Sequence, residues 1–78
     1  MGYLSVNKII MEDHVYKKIE ITGTSDKSSD EAVKNAISRA SNSIHNLRWF
    51  EIVETRGSID EGKISKWQVT IKVGFTMN

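Results

Sequence analysis

The chain has 78 residues, and its 11 basic and 10 acidic side chains leave a net charge of only +1. This balance lacks the basic surface that nucleic-acid-binding domains present, and no apolar run approaches the roughly 18 residues of a membrane span. The lack of cysteine excludes disulfides and thiolate metal sites. No continuous apolar signal-peptide segment is visible near the start, so we expect a cytoplasmic protein without nucleic-acid, membrane or metal partners.

The small size of the chain itself predicts assembly. A single core in a domain below about 70–80 residues rarely supplies more than roughly 3–5 kcal/mol of stability. Disulfides are excluded, and the two histidines, His14 and His45, lack the spacing of metal ligands. Oligomerisation is the remaining way to stabilise so small a fold.

Residues 1–13 form an N-terminal extension whose apolar positions fit neither a helical nor a strand period. We expect it to be loosely attached, or to become ordered only against a neighbouring subunit. Met11 directly precedes the charged residues before the first strand, and we hypothesise that it is the natural start. Residues 14–78 are predicted to form one domain.

The first half of this domain is predicted to be a strand followed by a helix. Val15 to Thr22 alternate between two faces, which is typical of a strand, and residues 23–27 have the composition of a turn. Ser28 and Glu31 have the spacing of a capping box, so a helix is predicted from there to about Asn46. Its apolar stripe contains three alanines, whose small side chains let a sheet approach closely, and comprises Ala32, Val33, Ala36, Ile37, Ala40, Ile44 and Leu47.

The second half is predicted to be a hairpin of two long strands. Trp49 to Ile59 alternate with mixed polarity, which predicts Trp49 and Arg56 on opposite faces, one covered by the helix and the other by a subunit. Residues 60–63 are the connection. The third strand, Ile64 to Thr76, points one set of side chains at the helix and carries a glycine where a bulge or a close contact is expected. That set is Trp67, Val69, Ile71, Val73 and Phe75.

The predicted fold class is therefore α+β, with the element order β-α-β-β. The third strand lies between the other two and runs antiparallel to both, which gives a three-stranded sheet of order 1-3-2 with the helix on one face. The open face and the two sheet edges again favour assembly.

The sequence shows no nucleophile–base pair, carboxylate dyad or phosphate-binding glycine loop. Trp49, Gln68 and Arg56 offer a different chemistry, namely a stacking platform, an amide that donates and accepts, and a cation for a phosphate. Such a set would suit a planar heterocycle with a phosphorylated tail. The alternative from the residues alone is an ordinary interface tryptophan and a surface glutamine.

Several segments together resemble the dodecin family in order and spacing over residues 14–76: residues 15–25, the alanine-striped helix, Trp49-Phe50-Glu51-Ile52, Arg56-Gly57 and residues 68–75. This resemblance implies a non-enzymatic flavoprotein that assembles as a hollow dodecamer of 23 symmetry. It further implies that flavins bind in pairs between tryptophans at subunit interfaces, for storage, buffering and protection against light. The implied ligand is FMN, alternatively riboflavin or lumichrome, and some family members also bind coenzyme A.

Carried over by motif, the resemblance assigns Trp49 to flavin stacking, Gln68 to the edge of the ring and Arg56 to the phosphate. Arg48 replaces a residue that is often acidic in the family, and it would add positive charge near the phosphate. Contacts to the ribityl tail or to a second nucleotide are implied for Val15, Tyr16 and Lys17 and for Arg39, Ser43, Ile44 and His45.

Two other kinds of protein fit the same residues. One is a structural oligomer of this fold without flavin, which would be colourless and would not quench added FMN. The other is a small flavoenzyme, which would need an accessible flavin and would oxidise NAD(P)H steadily.

Overall fold

The structure, a computed structural model, describes residues 13–77. It contains strand β1 (Tyr16–Ser25), helix α1 (Ser29–Ser41), strand β2 (Leu47–Asp60) and strand β3 (Lys63–Thr76). The strands form one sheet in the order β1-β3-β2, and β3 is antiparallel to both neighbours. The predicted β-α-β-β fold and the 1-3-2 sheet are thus confirmed. The expectations for the N-terminal extension and for Met11 fall outside the described residues.

Helix α1 begins as predicted but ends earlier than Asn46. The Ser28 side chain accepts a hydrogen bond from the Glu31 backbone N–H at 3.0 Å, which satisfies one free donor of the first turn. The helix stops at Ser41, and Asn46 has a positive φ of 68°. Residues 41–43 are Ser-Asn-Ser, whose side chains compete with the backbone for hydrogen bonds and weaken a helix. Leu47 accordingly belongs to β2 rather than to the helical stripe.

Strand β1 is longer than predicted, because residues 23–25 continue it instead of forming a turn. Gly23, Thr24 and Ser25 pair with Val69, Gln68 and Trp67 of β3. The long central strand therefore supplies hydrogen-bonding partners that the local turn-like composition does not reveal. Strand β2 is also longer than predicted, by two residues at its start and one at its end.

The β2–β3 hairpin closes through a two-residue turn at Glu61 and Gly62. Both residues have positive φ values, 52° and 78°. Turns of this kind match the right-handed twist of the paired strands, and glycine adopts such angles at little cost.

The helix packs on the face of the sheet predicted for it, here called the helix face. Its core consists of Val69, Ile71 and Val73 of β3 with Ala32 and Ala36 of α1, and Ile19, Ile21, Val33, Ile37, Leu47 and Trp67 pack around it. The opposite face, here called the open face, carries Gln68, Thr70 and Lys72 of β3 together with their cross-strand partners.

Strand β2 lies beyond the reach of the helix, contrary to the prediction that one of its faces is covered by it. Helix α1 packs against β1 and β3, and every residue of β2 except Leu47 is exposed in the single chain. Phe50 and Ile52 on the helix face of β2 are 46% and 54% exposed. The helix is too short and lies too far over β1 to shield this strand.

Gly23 sets how closely α1 approaches the sheet. A Cβ atom at this position would clash with the Ala32 carbonyl oxygen and lie 2.8 Å from Ala36 Cβ. We expect Gly23→Ala to lower the free energy of unfolding by about 1–3 kcal/mol, because the whole helix must shift to admit one methyl group. Thr24→Ala, at an exposed neighbouring position, is the control in a urea titration. Equal stabilities of the two variants would contradict this role.

Candidate functional site

Trp49 lies near the start of β2 on the open face, opposite Gly74 of β3. The pairing of β2 with β3 is irregular between Leu47 and Trp49, and this irregularity places Trp49 opposite Gly74. Its indole is 37% exposed, which is a large exposed aromatic surface for a small protein. The Tyr16 ring meets it edge-on, with centroids 6.0 Å apart and planes at 64°. Trp49 is thus oriented on the sheet while part of the ring stays accessible.

A charged pair borders this tryptophan. Lys18 Nζ lies 6.0 Å from the indole centroid and 3.9 Å from Glu51 Oε1. Both side chains are about half exposed, so their mutual attraction is weakened by solvent. The lysine therefore adds positive charge beside the ring without being locked in place.

Gln68 and Arg56 form a second cluster on the open face. They are cross-strand partners, and Arg56 Nε donates a hydrogen bond to Gln68 Oε1 at 2.9 Å. Arg56 Nη1 also lies 3.5 Å from Glu54 Oε2. Because the Gln68 oxygen already accepts from Arg56, its amide nitrogen keeps both N–H donors available. This cluster can therefore both donate to and accept from the edge of a polar ring.

A bulge places Arg56 on the same face as Trp49, contrary to the prediction of opposite faces. Glu51 pairs with Lys72 and Arg56 with Gln68, and Lys72 and Gln68 share a face because they are four residues apart on β3. The register shift between Ile52 and Glu54 inserts one residue into β2. One inserted residue reverses the alternation of all residues after it.

Trp49 and Gln68 are nevertheless far apart within one subunit. Trp49 lies opposite Gly74 of β3, and Gln68 is itself a residue of β3. Gly74 and Gln68 are six residues apart, which is about 20 Å along the strand. That distance exceeds what one stacked tricyclic ring and a glutamine side chain can bridge. A single flavin-sized ring that touches both residues must therefore take them from different copies of the chain.

The remaining predicted site residues divide into two groups. Tyr16 and Arg48 line a cleft of about 360 Å³ beside Trp49, together with His14, Asn46 and Thr76. Val15 and Lys17 are exposed at the beginning of the domain. The cleft presents an arginine and a histidine next to Trp49, which suits a polar or anionic group.

Arg39 lies on the other side of the sheet from Trp49. It lines a groove of about 770 Å³ between α1 and β1. Ser43, Ile44 and His45 follow the helix in the turn that leads to β2. Within one subunit, Arg39 and Trp49 therefore lie on different faces of the sheet.

The sequence reasoning missed several neighbours of the site. Lys18, Glu51 and Glu54 have no role in the predicted site, and the glycine of β3, Gly74, is predicted only as the position of a bulge or a close contact. The close contact is confirmed, since the Trp49 ring covers this glycine. The signal that could have identified these residues is the cross-strand register, which simple alternation does not reveal because the pairing of β2 is irregular at three places.

Among residues 13–77, no three His, Asp or Glu side chains come together in a way that could hold a metal ion. Within the same range, no helix is long and apolar enough to cross a membrane. What this part of the chain offers is a stacking surface, polar groups on the sheet and uncovered apolar positions on β2.

A β-α-β-β subunit that presents a partly exposed tryptophan on the open face of its sheet is typical of a small binding protein. The particular family follows from comparison with known proteins. The sequence profile of the family described as Dodecin matches residues 15–78. The chain belongs to the dodecin family, a family of small binding proteins without enzymatic activity, as the resemblance implied.

Individual relatives agree in sequence and structure. The chain is 41% identical to the dodecin of Thermus thermophilus over 63 residues, which is 81% of this chain and 91% of that protein. It is 36% identical to the calcium dodecin of Mycobacterium tuberculosis over 64 residues, covering 81% and 89%. The solved dodecin of Streptomyces davaonensis superposes with a TM-score of 0.81 at 49% identity, covering 86% of this chain and 98% of that one.

Proposed function

We propose that this protein binds a flavin, with FMN as the preferred form, at the interfaces of a homododecamer of 23 symmetry. The observation that carries the proposal is Trp49, an exposed indole seated on a sheet beside a tyrosine edge and a lysine. An isoalloxazine ring fits such a platform because stacking needs only an accessible π face. Membership of the dodecin family supports the same ligand class.

The spacing of the site residues supports assembly. Trp49 and Gln68 can act on one ring only when different copies supply them, as their separation along β3 indicates. Strand β2 also leaves Phe50, Ile52 and Val53 about half exposed. Exposed apolar side chains on so small a chain favour burial against other copies.

The role that follows is storage and photoprotection rather than turnover. A bound flavin would absorb visible light, and an adjacent indole can donate an electron to the excited ring and then take it back. This cycle returns both partners to their starting states, so it removes excitation without net chemistry. Holding the ring requires no general acid or base, in agreement with the residues around Trp49.

The direct test is to add purified protein to FMN, riboflavin and lumichrome and to follow flavin fluorescence together with size-exclusion elution. We expect quenched flavin fluorescence and co-elution of flavin with an assembly the size of a dodecamer. An assembly that leaves flavin fluorescence unchanged would instead favour a structural oligomer. Steady NAD(P)H oxidation would favour a flavoenzyme. Coenzyme A, tested by titration calorimetry, stays a prediction from the family resemblance.

Arg56 is proposed to read the phosphate of FMN. We expect Arg56→Ala to weaken FMN binding about tenfold and riboflavin binding less, since a charge-assisted hydrogen bond is worth roughly 1.5–3 kcal/mol. Flavin fluorescence titrations of both ligands measure the difference. Arg48→Ala is the matched comparison, because Arg48 lies in the cleft beside Trp49. If Arg56→Ala weakened the binding of both flavins equally and Arg48→Ala weakened FMN selectively, the phosphate contact would instead be assigned to Arg48 in the cleft.

A further inference from the structure

We propose that Gly74 is a positioning residue of the flavin site, because its missing side chain creates the seat on which the Trp49 indole lies. This inference rests on the proposed flavin function and deepens it. It concerns a residue that need not touch the ligand and acts through the tryptophan.

The geometry of the seat is specific. A Cβ atom built on Gly74 would lie 2.8 Å from Trp49 Cδ2 and still closer to Cε2 and Cζ2, three adjacent atoms of one ring. The indole therefore extends across the Gly74 backbone and occupies the space that any other side chain would need. Gly74 is buried beneath it.

The pairing of β2 with β3 also contributes to the position of the indole over Gly74. The irregularity between Leu47 and Trp49 brings the tryptophan opposite Gly74 in the pairing. From the β1 side, Tyr16 packs edge-on against the indole, and Lys18 pairs with Gly74 across the strands. The glycine thus determines how close the indole lies to the sheet, and the neighbouring side chains determine the orientation of the ring.

The distance between the indole and the sheet matters for stacking. A flavin held between aromatic rings from different copies needs a gap of fixed height, because aromatic stacking weakens quickly when the planes separate or tilt. A methyl group at position 74 would lift or tilt the indole and so change that gap. Gly74 therefore controls how well the site accepts a planar ring, without offering the ligand any group of its own.

A purely structural role is the competing explanation. An aromatic side chain lying over a cross-strand glycine can stabilise a sheet without any ligand. Under that explanation, Gly74→Ala would lower stability but leave the flavin affinity of the folded protein unchanged. The two explanations thus differ in a readout other than stability.

The test uses Trp67→Phe as the background, since Trp49 and Trp67 are the two tryptophans of the chain and Trp49 then becomes the sole indole reporter. Without flavin, we expect Gly74→Ala to shift Trp49 emission to the red and to increase its quenching by acrylamide. With FMN, we expect an affinity loss of at least tenfold at unchanged assembly size. An unchanged FMN affinity of folded Gly74→Ala would overturn the proposal, whether or not the Trp49 emission shifts.

Gly57→Ala is the matched control. Gly57 is also a strand glycine opposite a tryptophan, Trp67, but a Cβ there would meet the Lys66 carbonyl oxygen at 2.8 Å rather than an indole. We expect it to lower stability while the Trp49 emission and the FMN affinity per folded subunit stay as in the background. A loss of FMN affinity equal to that of Gly74→Ala would count against a specific seat.

A double variant keeps the test decisive if Gly74→Ala alone does not fold. Removal of the indole in Trp49→Ala also removes the clash, so Gly74→Ala/Trp49→Ala is expected to fold and to bind FMN no more weakly than Trp49→Ala. A further loss in the double variant would overturn the proposal. If Gly74→Ala shifts the Trp49 emission but the background protein binds no flavin, the result supports the role of Gly74 in positioning Trp49 and contradicts the proposed flavin function.

Discussion

Trp49→Ala is expected to reduce FMN affinity by roughly fivefold to more than a hundredfold, which corresponds to the 1–3 kcal/mol that stacking on one aromatic side chain provides. The ring loses its platform, while Gln68 and Arg56 keep their hydrogen bond on a distant part of the sheet. Because Trp49 is 37% exposed and lies outside the core, the subunit should stay folded. Titration of FMN fluorescence with each protein measures the loss directly.

Two further variants separate stacking from general damage. Trp49→Phe retains an aromatic face of smaller area and should recover part of the affinity. Trp67→Phe changes the other tryptophan, which packs against the core on the helix face, and should bind FMN as the parent does. Full affinity in Trp49→Ala would place the flavin elsewhere on the molecule and would remove the main support for the proposed function.

The fold was predictable because its strongest signals are local and agree with each other. The alternation of β3 from Trp67 to Val73 and the alanine stripe at Ala32 and Ala36 define two surfaces that match. The capping box at Ser28 fixes where the helix begins, and the connection to β3 fixes the hairpin. These features depend on neighbouring residues in the chain, which is why they could be read without coordinates.

The end of the helix and the faces of β2 could not be predicted in the same way. The apolar residues Ile44 and Leu47 continue the helical period, but the polar residues before them favour an earlier stop. In β2, the bulge between Ile52 and Glu54 changes the face of Arg56. A bulge depends on the fit between two strands over many residues, and a period of two contains no information about it.

The exposed β2 strand links the stability of the fold to the proposed ligand site. The helix covers one face of β1 and β3 and leaves Phe50 and Ile52 on one face of β2 and Trp49 on the other without cover. The stability of the fold and the proposed ligand site therefore depend on the same uncovered strand. Assembly that buries β2 would stabilise the fold and at the same time bring the tryptophan of one copy toward the glutamine of another.

A mixing experiment should give the clearest result for this arrangement. We expect Trp49→Ala and Gln68→Ala each to bind FMN weakly alone, because every site then lacks either the stacking ring or the edge contact. When the two variants are unfolded, mixed in equal amounts and reassembled, about one site in four should combine an intact Trp49 with an intact Gln68, since symmetric interfaces take the two residues from different copies. This fraction of sites should bind FMN more tightly in a fluorescence titration than the sites of either variant alone.

The recovery of FMN affinity depends on whether one subunit or two different subunits supply Trp49 and Gln68 to a flavin. If one subunit supplied both Trp49 and Gln68 to a flavin, no mixed assembly would contain a complete site and the affinity would not recover. The separation of about 20 Å along β3 argues for recovery. Refolding each variant alone is the control, and a mixture of Trp49→Ala with parental protein calibrates the number of intact sites. A mixture of the two variants that binds no better than either one alone would contradict a shared site and would confine flavin binding to single subunits.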